Sequence, residues 1–350
     1  MKKVLLLLIF ILSIFIFIYS HDHQSITQIT FVNSVGLEYN SKTNEYTMYF
    51  FILNNYTIAQ SGNSPSFTNT HSYTALATDK DILSAENKIR NNSNTKFDLT
   101  HIRSLILHDN FFEDDNVLKL YYYFQNNVKY NHSFEIYTTK DNLSDIYKLE
   151  NFSEVSGYYT ILVNTQNNIP VKHVRYNDFC NDLLIKDYTV YYHRIKINEG
   201  VVNDSDKKYV TLEYDGVSFI DEEYKLNSFK YQNLKGIGYL TTKINRTFLI
   251  NHKGKKFIFS PNKFKISYKV EKNKLKVKIK VNGYFLNSYN LNNQELKAII
   301  EDEIKKELEL MFITLSSYDI DIYNINYRYH NKYDYHNIKT SYIFDIVLTK

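Results

Sequence analysis

The chain has 350 residues, of which 43% are hydrophobic, and a formal net charge of +4. This apolar share is large enough to fill hydrophobic cores, which excludes an intrinsically disordered chain, and the charge is too mild for a typical nucleic-acid-binding protein. The length suits two or three domains of ordinary size. Because Cys180 is the only cysteine, no internal disulfide can form, and the stability must come from cores rich in Tyr and Phe.

An apolar run over residues 4–19 follows Met1 and two lysines. Positive residues before a short apolar run, with a small residue at its end, are typical of an export signal. The run is shorter than the roughly 20 residues of a membrane-spanning helix, which favours cleavage between Ser20 and His21. The alternative is an uncut run that keeps its lysines on the cytoplasmic side. The sequence therefore predicts that residues 1–20 are a signal peptide or an uncleaved anchor, and that the remaining chain is exported.

Residues 21–197 are predicted to form an N-terminal α/β region, which divides into two subdomains if the chain breaks near residues 150–160. Its predicted strands lie within residues 26–53 and at residues 101–107, 133–138 and 189–197, and its predicted helices lie near residues 82–89, 109–124, 142–149 and 176–184. On the last helix Cys180 shares an apolar face with Phe179 and Leu183, which indicates a buried thiol rather than a reactive one.

Residues 198–208 are polar and charged, and we interpret them as a linker to a C-terminal α+β domain, residues 209–350. The predicted strands of this domain lie at residues 210–219, 257–259, 264–270, 274–281 and 341–348. Before the last strand, a long helix over residues 293–315 carries one apolar stripe, and Asn292 and Glu295 are spaced to form a capping box at its start. The expected fold class is α+β, with two or three small domains, each a mainly antiparallel or mixed sheet packed against helices.

Lysines alternate with aliphatic residues along the strand at residues 274–281. The four lysines are Lys274, Lys276, Lys278 and Lys280. Because successive side chains of a strand point to opposite faces, one face is basic and the other apolar. One interpretation is the solvated side of an antiparallel sheet, whose lysines protect an edge from mispairing. A second hypothesis is a membrane-surface face that is attracted to anionic lipid head groups.

No sequence motif marks a catalytic site, since G-x-S-x-G, a phosphate-binding glycine loop and H-E-x-x-H are all missing. No nucleophile or orienting carboxylate is placed near His101 in the sequence, which favours a hydrogen-bonded structural histidine over a general base. The consecutive acids at residues 301–303 point in different directions on a helix. If cleavage exposes His21, the start His21-Asp22-His23 offers a square-planar site for copper or nickel, and the alternative is a mobile polar terminus. We predict no enzymatic activity, cofactor or resident metal.

Four segments, taken in order, carry a resemblance to a known family. ITFVNSVGLEYNSKTNEYTMYFFILN places Gly36 at a recurrent glycine between two strands, and HIRSLIL places His101 at a recurrent histidine. LEYDGVSFIDEEYKL contains Gly216 and Phe219, and ELKAIIEDEIKKELELMF is followed by YDIDIYNINYRY with Asp321. Together these segments resemble the Ger(x)C family, the C subunit of bacterial spore germinant receptors. The resemblance implies several small α/β domains, each a sheet with helices packed against it.

The resemblance also implies a role. It implies a non-enzymatic, membrane-associated subunit of a nutrient germinant receptor, which acts through protein–protein interaction with A-type and B-type subunits on the outer face of the spore inner membrane. Members of the family usually carry a lipid-bearing cysteine after the signal, but Ser20 and His21 stand there in this chain. The chain is therefore expected to be anchored by its uncut signal or held peripherally. The alternatives are a secreted adhesin or matrix-type binding protein and, in the enzyme class, a secreted hydrolase with a dispersed site.

Overall fold

The computed structural model describes residues 29–53, 72–127, 130–149, 174–185, 189–203, 208–221, 224–240, 247–271, 273–329, 332–333 and 338–349. Within these ranges the chain forms a nine-stranded sheet and a four-stranded sheet, with helices packed against both. The predicted α+β class is confirmed. The residues of the N-terminal signal or anchor, including Ser20 and His21, lie outside the described ranges.

The strands are β1 (Ile29–Asn40), β2 (Glu45–Leu53), β3 (Ser72–Asp79), β4 (Lys96–Asp98), β5 (Ser104–His108), β6 (Glu135–Thr139), β7 (Val190–Asn203), β8 (Lys208–Ile220), β9 (Leu226–Lys230), β10 (Phe248–His252), β11 (Lys255–Glu271), β12 (Lys274–Phe285) and β13 (Lys339–Leu348). The α-helices are α1 (Ile82–Asn91), α2 (Asn116–Gln125), α3 (Leu143–Lys148), α4 (Tyr176–Leu183), α5 (Asn293–Ser316) and α6 (Ile325–Arg328). Short 3₁₀ helices lie at Asp109–Phe112, Tyr231–Asn233 and Lys235–Leu240.

The first sheet has a parallel centre and antiparallel flanks. Its strand order is β3-β2-β1-β5-β6-β7-β8-β9, and β4 pairs with the start of β1. Strands β1, β5, β6 and β7 are parallel neighbours, whereas β2, β3, β8 and β9 pair antiparallel. Parallel strands are usually covered on both faces, and β5 fits this rule. Leu105 and Leu107 pack in the larger core of this sheet, whereas Ile106 packs in a smaller core with Tyr147 of α3.

The described part of the predicted linker is strand. Residues 198–203 extend β7, and β8 begins at Lys208, so the two strands pair antiparallel with Asn198 opposite Thr211 and Asn203 opposite Lys208. Residues 204–207 lie outside the described ranges. Strand pairing uses backbone groups that every residue except proline provides, and a polar composition therefore does not prevent it. Strands β8 and β9 complete the first sheet, and the division of the chain into domains stays a prediction.

The predicted helix over residues 109–124 is divided in two. A 3₁₀ turn at Asp109–Phe112 precedes α2, and Asp114 between them adopts a positive φ of 53°. An α-helix cannot continue through a residue with a left-handed backbone, which explains the break. The apolar side chains predicted to face inward, Phe112, Val117, Leu120 and Phe124, are all buried.

The second sheet has the order β10-β11-β12-β13, antiparallel except for the parallel pair β12–β13. Helix α5 packs its apolar stripe on one face, where Ile300, Ile304 and Leu308 share a core with Leu275 and Val277 of β12. The capping box is confirmed, because the side chain of Asn292 accepts hydrogen bonds from the amides of Gln294 and Glu295, at 2.9 and 3.0 Å, and Glu295 accepts one from the Asn292 amide at 2.9 Å. The long helix therefore begins where the sequence predicts.

Candidate functional site

The candidate site residues that the structure describes lie in three parts of the fold. Gly216, Phe219 and Asp321 belong to a junction where β7, β8 and β9 meet the C-terminal end of α5. Gly36 lies in β1 of the first sheet and His101 in the turn before β5. The four lysines of β12 lie on the outer face of the second sheet. The structure thus separates a candidate docking surface from residues that organise the fold.

The junction is built from aromatic side chains of β8 and β9. Phe219 is fully buried and meets Phe229 edge to face, with 5.9 Å between ring centroids. Phe229 in turn meets Tyr318, just after α5, at 5.0 Å. Both phenylalanines belong to the core of the second sheet, although their backbones are strands of the first sheet. Strands β8 and β9 therefore connect the two sheets through side-chain packing.

Gly216 allows β8 and β9 to approach each other closely. A Cβ atom at this position would lie 1.9 Å from the carbonyl oxygen of Phe229 and 2.8 Å from its carbonyl carbon. Both atoms are backbone, so a side-chain rearrangement cannot relieve the overlap. Glycine is required at this position because it has no side chain. The backbone of Gly216 does not adopt the positive φ that favours glycine, which occurs instead at Gly254.

A partly buried polar network lies beside this close approach. Arg194 of β7 donates to both carboxylate oxygens of Asp109, at 2.8 and 2.7 Å, and to Ser228 Oγ at 2.9 Å. Ser228 shares a hydrogen bond of 2.8 Å with Ser218, which shares another of 2.8 Å with Thr138. The sequence alone does not reveal this network, because its members come from five separate segments and no local motif joins them. Its groups satisfy one another, which makes the junction specific in geometry.

Asp321 holds the turn that follows α5. Its Oδ2 accepts a hydrogen bond of 2.7 Å from the amide of Asn326 in α6, and its backbone oxygen accepts one of 2.9 Å from the hydroxyl of Thr189. The Thr189 amide also donates to Asn324 Oδ1 at 2.9 Å. Asn324 has a φ of 51°, which asparagine tolerates better than most residues. These bonds tie the segment before β7 to the end of the long helix.

Gly36 and His101 pack against aromatic rings in the first sheet. A Cβ at Gly36 would lie 2.8 Å from the ring of Tyr147, whose hydroxyl is 2.9 Å from Ser34 Oγ. His101 lies in the turn before β5 and not in the strand. Its side chain is exposed and packs edge to face against Phe31, with ring centroids 4.8 Å apart.

Cys180 is buried as predicted, and burial raises the pKa of its thiol, which keeps the thiol protonated.

The basic face is the outer side of the second sheet. Lys274, Lys276, Lys278 and Lys280 point away from α5, and Leu275, Val277, Ile279 and Val281 point into the core, as predicted. The suggestion that these lysines protect an edge is wrong, because β11 and β13 pair with β12 on either side. Strand β11 adds Lys263, Lys265 and Lys269 to the same face.

One end of the basic face is partly neutralised. Glu271 forms ion pairs with Lys269 and with Lys276, the latter at 2.5 Å. Hydrogen bonds from Lys269 and then Lys276 lower the pKa of Glu271 to about 2. The same carboxylate raises the pKa of Lys269. This carboxylate therefore stays ionised between two ammonium groups over the whole physiological pH range.

The other end of the basic face forms a concavity with an excess of positive charge. A cavity of about 560 Å³ is lined by Lys263, Lys265, Lys278, Lys280, Asp345 and Val347, among others. Asp345 of β13 lies 3.4 Å from Lys280. The lining thus contains four lysines and one carboxylate.

Within the described ranges, no three His, Cys, Asp or Glu side chains are grouped so that they could hold a metal ion. In the same ranges, no helix combines the length and apolar character that crossing a membrane requires. The His21-Asp22-His23 segment lies outside them.

Comparison with known proteins gives three findings. Residues 22–197 match the family model for the spore germination protein N-terminal domain, and residues 215–344 match the model for the spore germination B3/GerAC-like C-terminal domain. The chain is also similar to a crystal structure of the GerBC protein. The alignment covers 90% of this chain and 97% of the GerBC chain, with 15% sequence identity and a TM-score of 0.49. No curated protein matches the sequence.

Gly216→Ala should destabilise the fold by about 3 kcal/mol, or more, because the added carbon overlaps a backbone carbonyl. Chemical denaturation of the purified protein measures this loss. Gly254→Ala is the control, since no atom lies within 4 Å of its added carbon and only its φ of 75° opposes the change. That control should lose about 1 kcal/mol. Equal losses in the two variants would show that the close approach of β8 and β9 is wrong.

Glu271 should titrate near pH 2 in place of its usual value of 4.5, and carboxyl chemical shifts in NMR measure this directly. Because the folded-state pKa is the lower one, the stabilisation from Glu271 is complete above about pH 4.5 and disappears as the pH falls towards 2. Lys276→Gln should raise the pKa of Glu271, whereas Lys305→Gln on α5 should leave it unchanged. A value near 4.5 in the unaltered protein would contradict the two ion pairs.

Proposed function

Because the chain belongs to the GerAC-like family of spore germination proteins, we propose that it is a non-enzymatic subunit of a nutrient germinant receptor. It acts by binding other subunits and not by chemistry on a substrate. The observation that carries this proposal is the pair of family matches, which follow each other in order and together span most of the chain.

The use of the polar side chains supports a role in binding. Arg194 and Asp109 form an ion pair with each other, and the carboxylate of Asp321 accepts a hydrogen bond from a backbone amide. Gly216 and Phe219 are committed to the packing of β8 against β9. The residues that match the family pattern thus have structural tasks, and an assembly subunit needs such a rigid scaffold to present its surfaces.

The proposed partners are the A-type and B-type receptor subunits, at the outer face of the spore inner membrane. Since Ser20 replaces the cysteine that usually carries lipid, another attachment is needed. A serine hydroxyl cannot form the thioether of a lipoprotein. We propose that the N-terminal apolar run, if it is uncut, or contacts with partners and the membrane surface hold the chain in place.

Fractionation of sporulated cells tests this proposal. The chain should be recovered with the inner-membrane fraction, and capture through a C-terminal tag should retain A-type and B-type subunits. Mass measurement of the N-terminus then separates a cleaved chain that begins at His21 from an uncut one. Gly216→Ala provides a folding-impaired control in the same cells, and it should reduce recovery of the complex.

Recovery of a freely soluble chain alone, without either subunit, would overturn the proposal. A secreted adhesin or matrix-type protein, the alternative role, would instead be found in the medium or on the surface of vegetative cells. Its amount would then be independent of sporulation.

A further inference from the structure

The positive end of the basic face places like charges directly opposite each other. In the β11–β12 register, Lys265 is the partner of Lys280, and Ser267 is the partner of Lys278. Like charges at such positions destabilise a sheet. At the other end of this face, Glu271 offsets the comparable pair Lys269 and Lys276, but no acid lies between Lys265 and Lys280.

Few acids compensate this charge. Within the described ranges Lys263, Lys265 and Lys278 form no ion pair, and Lys280 shares only Asp345, which is about half exposed. The charge stays on the surface, where a partner can reach it. A protein that keeps four lysines around one concavity at a cost to its sheet is complementary to an anionic partner.

The edge strand β13 adds exposed apolar groups to the same face. Ile343 is the register partner of Lys278, and Val347 is the partner of Asn282. Their side chains are 50% and 47% exposed. Aliphatic side chains next to lysines suit an interface in which apolar groups enter the head-group layer while the ammonium groups contact phosphates.

We propose that this face, centred on Lys263, Lys265, Lys278 and Lys280, docks on an anionic phospholipid surface. The inference rests on the proposed function, because it names the surface through which the subunit contacts its membrane. It also changes the sequence-based hypothesis. Lys263 and Lys265 of β11 join the site, whereas Lys276 leaves it because Glu271 already binds that ammonium group.

The chemistry of the face favours lipid over nucleic acid or a compact anion. Its described cations are all lysines, which act as flexible point charges, whereas arginine is preferred for bidentate phosphate recognition. The lysines are spread along two strands and remain solvated, so they do not form an enclosed cage for one phosphate. Dispersed phosphates at the surface of a bilayer match this arrangement.

Vesicle binding by the full chain tests the proposal. Vesicles of equal parts phosphatidylglycerol and phosphatidylcholine are compared with vesicles of phosphatidylcholine alone, so that any contribution from the N-terminal apolar run appears in both. The triple variant Lys263→Gln, Lys265→Gln and Lys278→Gln should lose about fivefold in anionic binding for each lysine, on the order of 100-fold in total. Its binding to neutral vesicles should be unchanged.

A matched triple variant on α5, on the opposite side of the second sheet, provides the control. Lys297→Gln, Lys305→Gln and Lys306→Gln on α5 alter the net charge equally and should keep anionic binding within about twofold. Acetylation of lysines, read by mass spectrometry, adds a measurement on the unaltered chain. Anionic vesicles should protect Lys265 and Lys280 and leave Lys305 and Lys306 reactive.

Three outcomes would overturn the proposal: equal loss in the two triple variants, no protection of Lys265 and Lys280, or preference for RNA or an acidic protein over vesicles at the same ionic strength. None of them affects the proposed function, which is tested by recovery of the chain with receptor subunits. Conversely, vesicle binding by a chain that is not recovered with those subunits would support the lipid face and contradict the receptor role.

Discussion

The structure depends on one strand that serves both sheets. Strand β8 pairs with β7 on one side and with β9 on the other, and its side chains point into different cores. Leu212 packs in the smaller core of the first sheet, whereas Val217 and Phe219 pack in the core of the second. Because Gly216 brings β9 into contact with β8, Phe229 reaches the end of α5. Without that approach, the two sheets would lose their shared packing.

This constraint also fixes the orientation of the proposed membrane-binding face. Hydrogen bonds from Thr189 to the turn after α5 fix the second sheet at a further point, and the network around Arg194 fixes the first. The basic face on β11 and β12 is therefore held at a defined orientation to the first sheet.

Patterns over a few neighbouring residues predict the features that those same residues determine. The capping box at Asn292 and the alternating lysines of β12 follow from spacings of three and two residues, and both are present. The polar composition of residues 198–203 does not indicate a strand, because strand pairing depends on backbone groups that composition does not report. The pairing of Lys265 with Lys280 does not follow from local spacing either, since it depends on the register between two strands. Non-local contacts of this kind decide where the charge is concentrated.

Native-state hydrogen exchange measures whether β8 makes the two sheets one cooperative unit. If it does, core amides of β5, β8, β12 and α5 all exchange with the free energy of global unfolding, because opening either sheet disrupts the junction. Exchange of β12 and α5 through a lower-energy opening, while β5 and β8 stay protected, would contradict it. The second sheet would then be an independent unit, and the lysine face would have no fixed orientation to the rest of the chain.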